Sequence, residues 1–161
     1  MKRLLVIFFL ALYVLFPVPV RADETVRQEL VTLARKIEVR NAEIRAERQF
    51  NTLVQNEAKR LGVGPEKYPV IGDIIRTFGS DYRVALAVAR AESGLRCEAY
   101  HFNQDRARSV DHSVFQLNDV HSWRGNLNDC HQNVIIAKEI HDESGWWPWV
   151  VYQRGIYKAY L

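Results

Sequence analysis

The feature that most constrains this chain is a change of composition at residues 61–69, nine residues that include two glycines and two prolines. Residues 24–61 contain neither glycine nor proline and are highly charged, whereas residues 68–161 hold all four Trp, all five His, both Cys and six of the seven Tyr. This division is typical of one globular domain preceded by a charged segment. The expected parts of the chain are therefore 1–22, 23–62 and 68–161.

The first 22 residues have the features of a secretory signal peptide. Lys2 and Arg3 give a positive start, residues 4–16 are 13 consecutive apolar residues, and Ala22 ends a short segment suited to cleavage. Thirteen residues give about 20 Å of helix, too short for a hydrocarbon core of about 30 Å. The sequence predicts export, cleavage near Ala22, and a secreted or periplasmic chain. The alternative is an uncleaved N-terminal anchor, and only then is a membrane a partner.

The charge distribution argues against a nucleic-acid partner. The chain has 22 basic and 19 acidic residues, and residues 1–22 hold three of the basic residues and none of the acidic ones. The exported part is therefore formally neutral, whereas a nucleic-acid-binding domain is expected to keep a basic excess on its folded part.

The two cysteines are interpreted in the light of export. In an oxidising compartment Cys97 and Cys130 are expected to form a disulfide, with two buried free thiols as the alternative. Two cysteines cannot form a structural zinc site, and no two of the five histidines have the i, i+4 spacing of a metal-binding helix. Neither a metal nor a cofactor is expected.

The charged segment 24–61 follows a helical pattern. Its apolar residues form a stripe at intervals of three and four, interrupted midway by Arg40, Glu47 and Asn51. The stripe consists of Val26, Leu30, Leu33, Ile37, Ile44, Val54, Ala58 and Leu61. This pattern predicts a long helix, a helical hairpin or a short coiled coil. Two interpretations stay open: packing against the chain's own domain, or self-association or docking through residues 24–61.

Residues 68–161 are predicted to be mainly helical with a little β structure. Apolar faces followed by Gly79, Gly94 and Gly145 indicate where helices end. The expected helices are 70–78, 82–93, 133–144 and 150–160, with a loop over 95–113 and a strand over 114–117.

Glu92 is the first candidate for chemistry, because it lies in the last turn of the predicted helix 82–93. The helix dipole disfavours a negative charge there, and an apolar cleft would act in the same direction through desolvation. Both effects favour the protonated carboxyl that a general acid needs. The alternative is a solvent-exposed glutamate at a helix end.

Three segments, in order, resemble the lytic transglycosylase domain of the lysozyme-like superfamily. Ala87-Val-Ala-Arg-Ala-Glu-Ser-Gly94 is similar to the family's A-x-x-E-S segment, which carries its acid. Ser109-Val-Asp-His-Ser-Val-Phe-Gln-Leu-Asn118 is similar to its S-x-D-x-G-apolar-apolar-Q-apolar-N hairpin, and Trp149-Val-Val-Tyr-Gln-Arg-Gly155 to its Y-N-A-G segment. The resemblance covers about residues 68–161. It implies an α+β lysozyme-like fold, mainly α with a small β-hairpin.

The resemblance also implies roles for individual residues. Glu92 matches the catalytic acid, and the adjacent Ser93 of the same motif is assigned to substrate binding. Gln116 and Asn118 match hairpin residues that line the cleft and brace its turn. Tyr152 matches a tyrosine that points at the catalytic carboxyl, with a plain core aromatic as the alternative.

The role of Asp111 differs between two possible mechanisms. In lysozymes of similar hairpin sequence the matching Asp is a second carboxylate that supports retaining hydrolysis, whereas lytic transglycosylases need only the glutamate. The alternative for Asp111 is a turn-capping side chain that bonds local N–H groups.

Two positions depart from the family pattern. Ser113 stands where the family usually has Gly, and Gln153 stands where it usually has Asn. A glycine permits a positive φ or a close approach to substrate, so Ser113 is expected to change the shape of the cleft.

Aromatic residues provide candidate surfaces for stacking on sugar rings. They are Trp123 and the cluster Trp146-Trp147-Pro148-Trp149. In a domain this small, at least two of positions 123, 146, 147, 149 and 157 are expected to lie in the core.

The sequence thus predicts an exported enzyme that cleaves the β-1,4 MurNAc–GlcNAc bonds of peptidoglycan glycan strands. A lytic transglycosylase is preferred, with Glu92 as acid and then base, and a hydrolytic muramidase that uses Glu92 and Asp111 is the first alternative. A non-catalytic peptidoglycan-binding module, suggested by Ser113, is the second. In the third, residues 24–61 are the working part, an oligomerisation or docking element.

Overall fold

The computed structural model describes residues 24–104 and 108–161, so the predicted signal peptide at residues 1–22 lies outside it. The chain is mostly helical, with a long N-terminal helix and a three-stranded antiparallel sheet, which confirms a mainly α fold with a small β part. The chain divides into two units, and the compact second unit spans Glu47–Leu161.

In the part of the chain that the structure describes, the elements run in the order three helices, three strands and two helices. The helices are α1 (Glu24–Leu61), α2 (Tyr68–Phe78), α3 (Tyr82–Ser93), α4 (Cys130–Ser144) and α5 (Val150–Gln153). The strands are β1 (Tyr100–Phe102), β2 (Val110–His112) and β3 (Leu117–Asn118), with β2 in the centre of the sheet. Short 3-10 helices span Pro65–Lys67, Gly79–Asp81, Asp119–Arg124 and Ile156–Tyr160.

The segment predicted as a helix or a hairpin is one continuous helix, α1. Its C-terminal part belongs to the compact unit, where Val54, Ala58 and Leu61 are buried in the core. The unit therefore begins inside α1, earlier than the expected start at residue 68. The glycines and prolines of residues 61–69 mark a turn between two packed helices.

The first unit, over its described residues 24–46, consists of the N-terminal part of α1. Val26, Leu30, Leu33 and Ile37 of the apolar stripe are about half exposed. Self-association or docking through this stripe stays a prediction. No helix in residues 24–104 or 108–161 combines the length and the apolar character needed to cross a membrane.

The prediction of a strand at 114–117 is wrong for most of its length. Residues 113–116 form the turn between β2 and β3, and only Leu117 belongs to a strand, while β1 and β2 lie in the expected loop 95–113. Ser113 and Gln116 have left-handed φ angles of 58° and 48°, which interrupt extended structure. Val114 and Phe115 are fully buried, so their apolar character serves the packing of a turn.

Helix ends follow capping chemistry. Gly94 adopts a left-handed conformation, and its N–H donates to the Arg90 carbonyl at 3.0 Å, which ends α3 as predicted. Helix α4 begins earlier than predicted because Asp129 is its N-cap, accepting a hydrogen bond from the Gln132 N–H at 2.8 Å. The C-terminal segment predicted as one helix is the short α5 followed by a 3-10 helix.

Aromatic rings join α2, the hairpin turn and the C-terminal segment in one core. The ring of Phe78 lies 5.5 Å from Phe115 and 5.4 Å from Trp146 between centroids, and Trp146 lies 5.3 Å from Trp149. Trp146 and Trp149 are buried, which confirms that at least two of the five candidate positions belong to the core.

A buried ion-pair network ties the end of α1 to α3. Glu57 is only 3% exposed. It accepts hydrogen bonds from Arg60 at 2.6 Å and from the Tyr82 hydroxyl at 3.2 Å, and it pairs with Arg83 at 3.5 Å. Removing one partner from a buried pair of this kind leaves an uncompensated charge, so the network fixes how α1 meets the rest of the compact unit.

Cys97 and Cys130 form the predicted disulfide. It joins the loop that follows α3 to the first residue of α4, across a sequence separation of 33. Glu92 precedes this loop by a few residues, so the bridge fixes the chain next to the candidate acid. A disulfide of this kind indicates a non-reducing environment.

The double variant Cys97→Ala/Cys130→Ala is expected to lower the free energy of unfolding by about 3–4 kcal/mol, because the cross-link restricts the unfolded chain. Urea unfolding followed by tryptophan fluorescence measures the difference. Reductant should produce the same loss in the wild type and leave the double variant unchanged. A double variant as stable as the oxidised wild type would contradict the prediction.

Candidate active site

One cleft of about 370 Å³ brings together most of the predicted site residues. The sheet and the end of α3 contribute polar residues, and α4 and the segment before α5 contribute mainly apolar ones. The lining comprises Glu92, His101, Asn103, Asp111, Gln116, Leu117, Asn118, His121, Ile140, Pro148, Trp149 and Val150. Four predicted residues, Glu92, Asp111, Gln116 and Asn118, are therefore around the same space.

Glu92 lies in the last turn of α3 and is half-buried. Burial raises its pKa to about 7 from an ordinary value of 4.5, and the negative charge of Asp111 adds to the rise. A hydrogen bond from the backbone N–H of Val151 opposes both effects by stabilising the carboxylate. Glu92 is thus a carboxyl that exists in both protonation states near neutral pH.

Asp111 is held by its neighbours in the sheet. It occupies the central strand β2, paired with His101 on β1 and Asn118 on β3, so the three side chains share one face. Asn118 Nδ2 donates to Asp111 Oδ1 at 2.8 Å and to Ser109 Oγ at 3.0 Å. Asn118 therefore braces Asp111 across the strand pair and leaves its carboxylate facing the cleft.

One residue of the hairpin turn, Ser113, has a strained backbone conformation. Ser113 adopts a φ of 58° although it is not glycine, and it is 1% exposed. Its buried hydroxyl has no hydrogen-bond partner within the described residues. Its carbonyl accepts a hydrogen bond from Gln116 Nε2 at 2.7 Å, which holds Gln116 across the turn. Ser113, which replaces the glycine of the family pattern, thus adopts the left-handed conformation that favours glycine.

Ser113→Gly is expected to raise the free energy of unfolding by about 1 kcal/mol, because it relieves the left-handed strain and removes an unsatisfied buried hydroxyl. Ser113→Ala is the matched control, since it removes the hydroxyl and keeps the strain. Urea titrations of both variants separate the two contributions. A glycine variant less stable than the alanine variant would refute the strain argument.

Ser93 and Tyr152 lie outside the lining of the cleft. The Ser93 hydroxyl is buried and donates to the Val114 carbonyl at 2.7 Å. It therefore holds the hairpin turn against α3, and a role for Ser93 in substrate binding stays a prediction. The Tyr152 ring stacks on Tyr157 with 4.6 Å between centroids. The hydrogen bond that reaches Glu92 from this segment comes from the Val151 backbone.

Sequence reasoning missed Asn133, which holds the hairpin turn against α4. Asn133 is fully buried, and its Oδ1 accepts from the Phe115 N–H at 3.0 Å. Its Nδ2 donates to the carbonyls of His112 and Leu127, both at 3.0 Å. An asparagine inside a helical pattern gives no sign of this role, because the groups it satisfies lie in other segments.

Two histidines of the cleft were also missed, His101 and His121. Burial lowers the pKa of His121, and the positive charge of Arg124 lowers it further against the opposing effect of Glu143. His121 is therefore a neutral hydrogen-bonding group at neutral pH. Its position directly after the hairpin is the signal that could have identified it.

Within residues 24–104 and 108–161, no group of three or more His, Cys, Asp or Glu side chains is arranged to hold a metal ion. Comparison with protein-family models, with curated proteins and with solved structures found no match to this chain. The geometry of the cleft and the sequence motifs are therefore the basis for a functional proposal.

Proposed function

We propose that this chain is a peptidoglycan-cleaving enzyme, a lytic transglycosylase acting on β-1,4 MurNAc–GlcNAc bonds. The observation that carries the proposal is Glu92, a half-buried carboxyl in a cleft beside Asp111, with a pKa of about 7. A carboxyl with this pKa is able to donate a proton at neutral pH and to accept one afterwards. The three segments that resemble the lytic transglycosylase domain supply the substrate class.

The proposed reaction needs one group that changes protonation state twice. Glu92 donates its proton to the glycosidic oxygen as the bond from that oxygen to C1 of MurNAc breaks, which releases the GlcNAc hydroxyl. The Glu92 carboxylate then takes the proton of the MurNAc 6-hydroxyl while that oxygen bonds to C1. The product is a 1,6-anhydro ring, and Glu92 regains its proton. The Val151 N–H stabilises the carboxylate between the two steps.

Asp111 is a second carboxylate on the same cleft, and its position favours one alternative. In a hydrolytic muramidase, Asp111 would support the positive charge that develops on the sugar while water replaces the 6-hydroxyl. In a transglycosylase, its charge serves to raise the pKa of Glu92. The two mechanisms use the same residues of the cleft and differ in the products that they form.

Export is the second part of the proposal. The disulfide between Cys97 and Cys130 is consistent with a secreted or periplasmic location, where peptidoglycan is accessible. We propose that residues 1–22 direct this export.

Mass spectrometry of fragments released from purified peptidoglycan by residues 23–161 tests the proposal. The expected products carry 1,6-anhydro ends, each lighter by one water than a hydrolytic product. Reducing ends would make the protein a muramidase and Asp111 its second catalytic carboxylate. Binding without any released fragment would favour a non-catalytic module.

Asp111→Asn is expected to move the alkaline limb of the kcat/KM profile to lower pH. Glu92 must be protonated to act as the acid, so the rate falls as pH rises through its pKa, about 7 in the wild type. Removing the charge of Asp111 lowers that pKa. Burial is the largest cause of the shift and exceeds the opposing effect of Val151, so we expect the pKa of Glu92 in Asp111→Asn to remain above its ordinary value of 4.5.

Carbon-13 NMR of the labelled Glu92 carboxyl measures the same pKa without any need for turnover. Glu98→Gln is the matched control, since it removes an exposed carboxylate that is not among the groups shifting the pKa of Glu92. An unchanged Glu92 titration in Asp111→Asn would show that the two carboxyls do not interact.

A further inference from the structure

Trp123 is a large aromatic side chain that the core does not use. It is 75% exposed, in the 3-10 helix Asp119–Arg124 that directly follows β3. Aromatic side chains usually gain stability by burying their rings. An isolated ring left this exposed, next to a cleft, is a candidate for contact with a ligand.

Arg124 fixes the ring from one side. Its guanidinium carbon lies 4.5 Å from the centroid of the Trp123 ring. The Arg124 side chain is only 11% exposed. It donates two hydrogen bonds to Glu143, at 2.8 and 2.6 Å, and forms an ion pair with Glu139 at 3.5 Å. Because this bidentate pair sets the orientation of the guanidinium, Arg124 covers one face of the indole and leaves the opposite face available.

Trp123 lies on a segment that borders the cleft. Asn118, which braces Asp111, immediately precedes the segment that carries Trp123, and His121 of the same segment lines the cleft. Helix α4 contributes to the cleft and to the partners of Arg124, since Ile140 lines the cleft and Glu143 accepts the hydrogen bonds of Arg124. We therefore expect a polymer that extends beyond the cleft along this wall to reach Trp123.

We propose that Trp123, oriented by Arg124, is a stacking platform for a sugar ring of a β-1,4-linked glycan strand at one end of the cleft. This inference rests on the proposed function for its choice of ligand. One face of a pyranose carries C–H groups that pack on an aromatic ring, and hydroxyls surround its edge. A single indole packed on Arg124, whose guanidinium pairs with Glu139 and Glu143, matches that pattern better than the broad apolar core of a protein interface.

Arg124 holds the Trp123 ring in one orientation before a sugar binds. A freely rotating exposed tryptophan would lose rotamer entropy when a sugar binds, whereas a ring already held against a fixed guanidinium loses less. Arg124 is therefore a positioning residue that acts through Trp123.

Binding of the GlcNAc hexamer chitohexaose to protein carrying Glu92→Gln tests the proposal by isothermal titration calorimetry, without cleavage of the ligand. In this background, Trp123→Leu keeps an apolar side chain and removes the flat ring, and Trp123→Tyr keeps a ring. We expect Kd to rise about tenfold for the leucine variant and to stay within about threefold for the tyrosine variant. Equal Kd values for all three proteins, or no binding of chitohexaose, would overturn the proposal.

Arg124→Lys tests the positioning role, because it keeps the positive charge beside the carboxylates and removes the planar group. It should weaken chitohexaose binding when Trp123 is present and have no effect in the Trp123→Leu background. Equal effects in both backgrounds would mean that Arg124 acts independently of the ring, against the proposal.

The outcomes separate this proposal from the proposed function. Cleavage of peptidoglycan by a protein whose saccharide affinity does not depend on Trp123 would overturn the platform alone. Trp123-dependent binding by a wild type that releases no fragments would overturn the enzyme alone. A change in sedimentation behaviour for Trp123→Leu, with unchanged saccharide affinity, would make Trp123 a contact between protein chains and overturn the platform.

Discussion

Glu92→Gln is expected to reduce the rate of peptidoglycan cleavage by about a thousandfold or more. General acid catalysis by one side chain contributes about a hundredfold to ten-thousandfold, and Glu92 serves in two proton transfers. Glutamine keeps the shape of the protonated carboxyl but cannot give up a proton. Release of soluble fragments from peptidoglycan measures the loss, and Glu98→Gln, which removes an exposed carboxylate, should retain activity. Full activity in Glu92→Gln would remove the basis of the assignment.

The same variant has a second readout that does not depend on activity. The pKa of Glu92 is raised to about 7 in the folded protein, so the folded state binds this proton more tightly than the unfolded state does. The resulting stability is fully present below the ordinary value of 4.5 and is lost as pH rises through about 7. Glu92→Gln lacks this dependence. Its stability relative to the wild type should therefore increase from about pH 4.5 to above pH 7, as urea titrations across that range would measure.

The helices show what the sequence was able to predict. Helices α2 and α3 end where expected. An apolar face followed by Gly79 or Gly94 is a local pattern, and the few residues that form it are enough to end the helix. The place of Glu92 in the last turn of α3 could be predicted for the same reason, since it is a property of that helix alone, whereas its role as the acid rests on the family resemblance and stays a proposal. The disulfide likewise followed from two cysteines and a non-reducing compartment.

The hairpin shows where sequence reasoning stops. Strands β1 and β2 are only three residues long and carry exposed or half-exposed residues, so they are too short for periodicity to indicate a strand. The apolar run 114–117 looked like a strand, but Val114 and Phe115 belong to a turn that α3 and α4 hold through Ser93 and Asn133. These contacts join segments far apart in sequence. No local pattern encodes them.

Asn133→Ala is expected to lower the free energy of unfolding by at least about 3 kcal/mol. The change leaves the Phe115 N–H and the carbonyls of His112 and Leu127 without the partner that satisfies them. Each buried backbone group that loses its hydrogen bond costs about 1–3 kcal/mol, and the three bonds act on one turn. Urea unfolding followed by circular dichroism measures the loss.

Asn128→Ala is the matched control for Asn133→Ala. Asn128 makes an exposed hydrogen bond of 2.9 Å to the same His112, through the imidazole, and its loss should cost less than about 1 kcal/mol. Because Asn133 fixes the turn that carries Gln116, we also expect Asn133→Ala to lose cleavage activity at temperatures where it is still folded. Equal stability of the two variants would mean that water replaces the Asn133 amide, and that the turn is held by α3 alone.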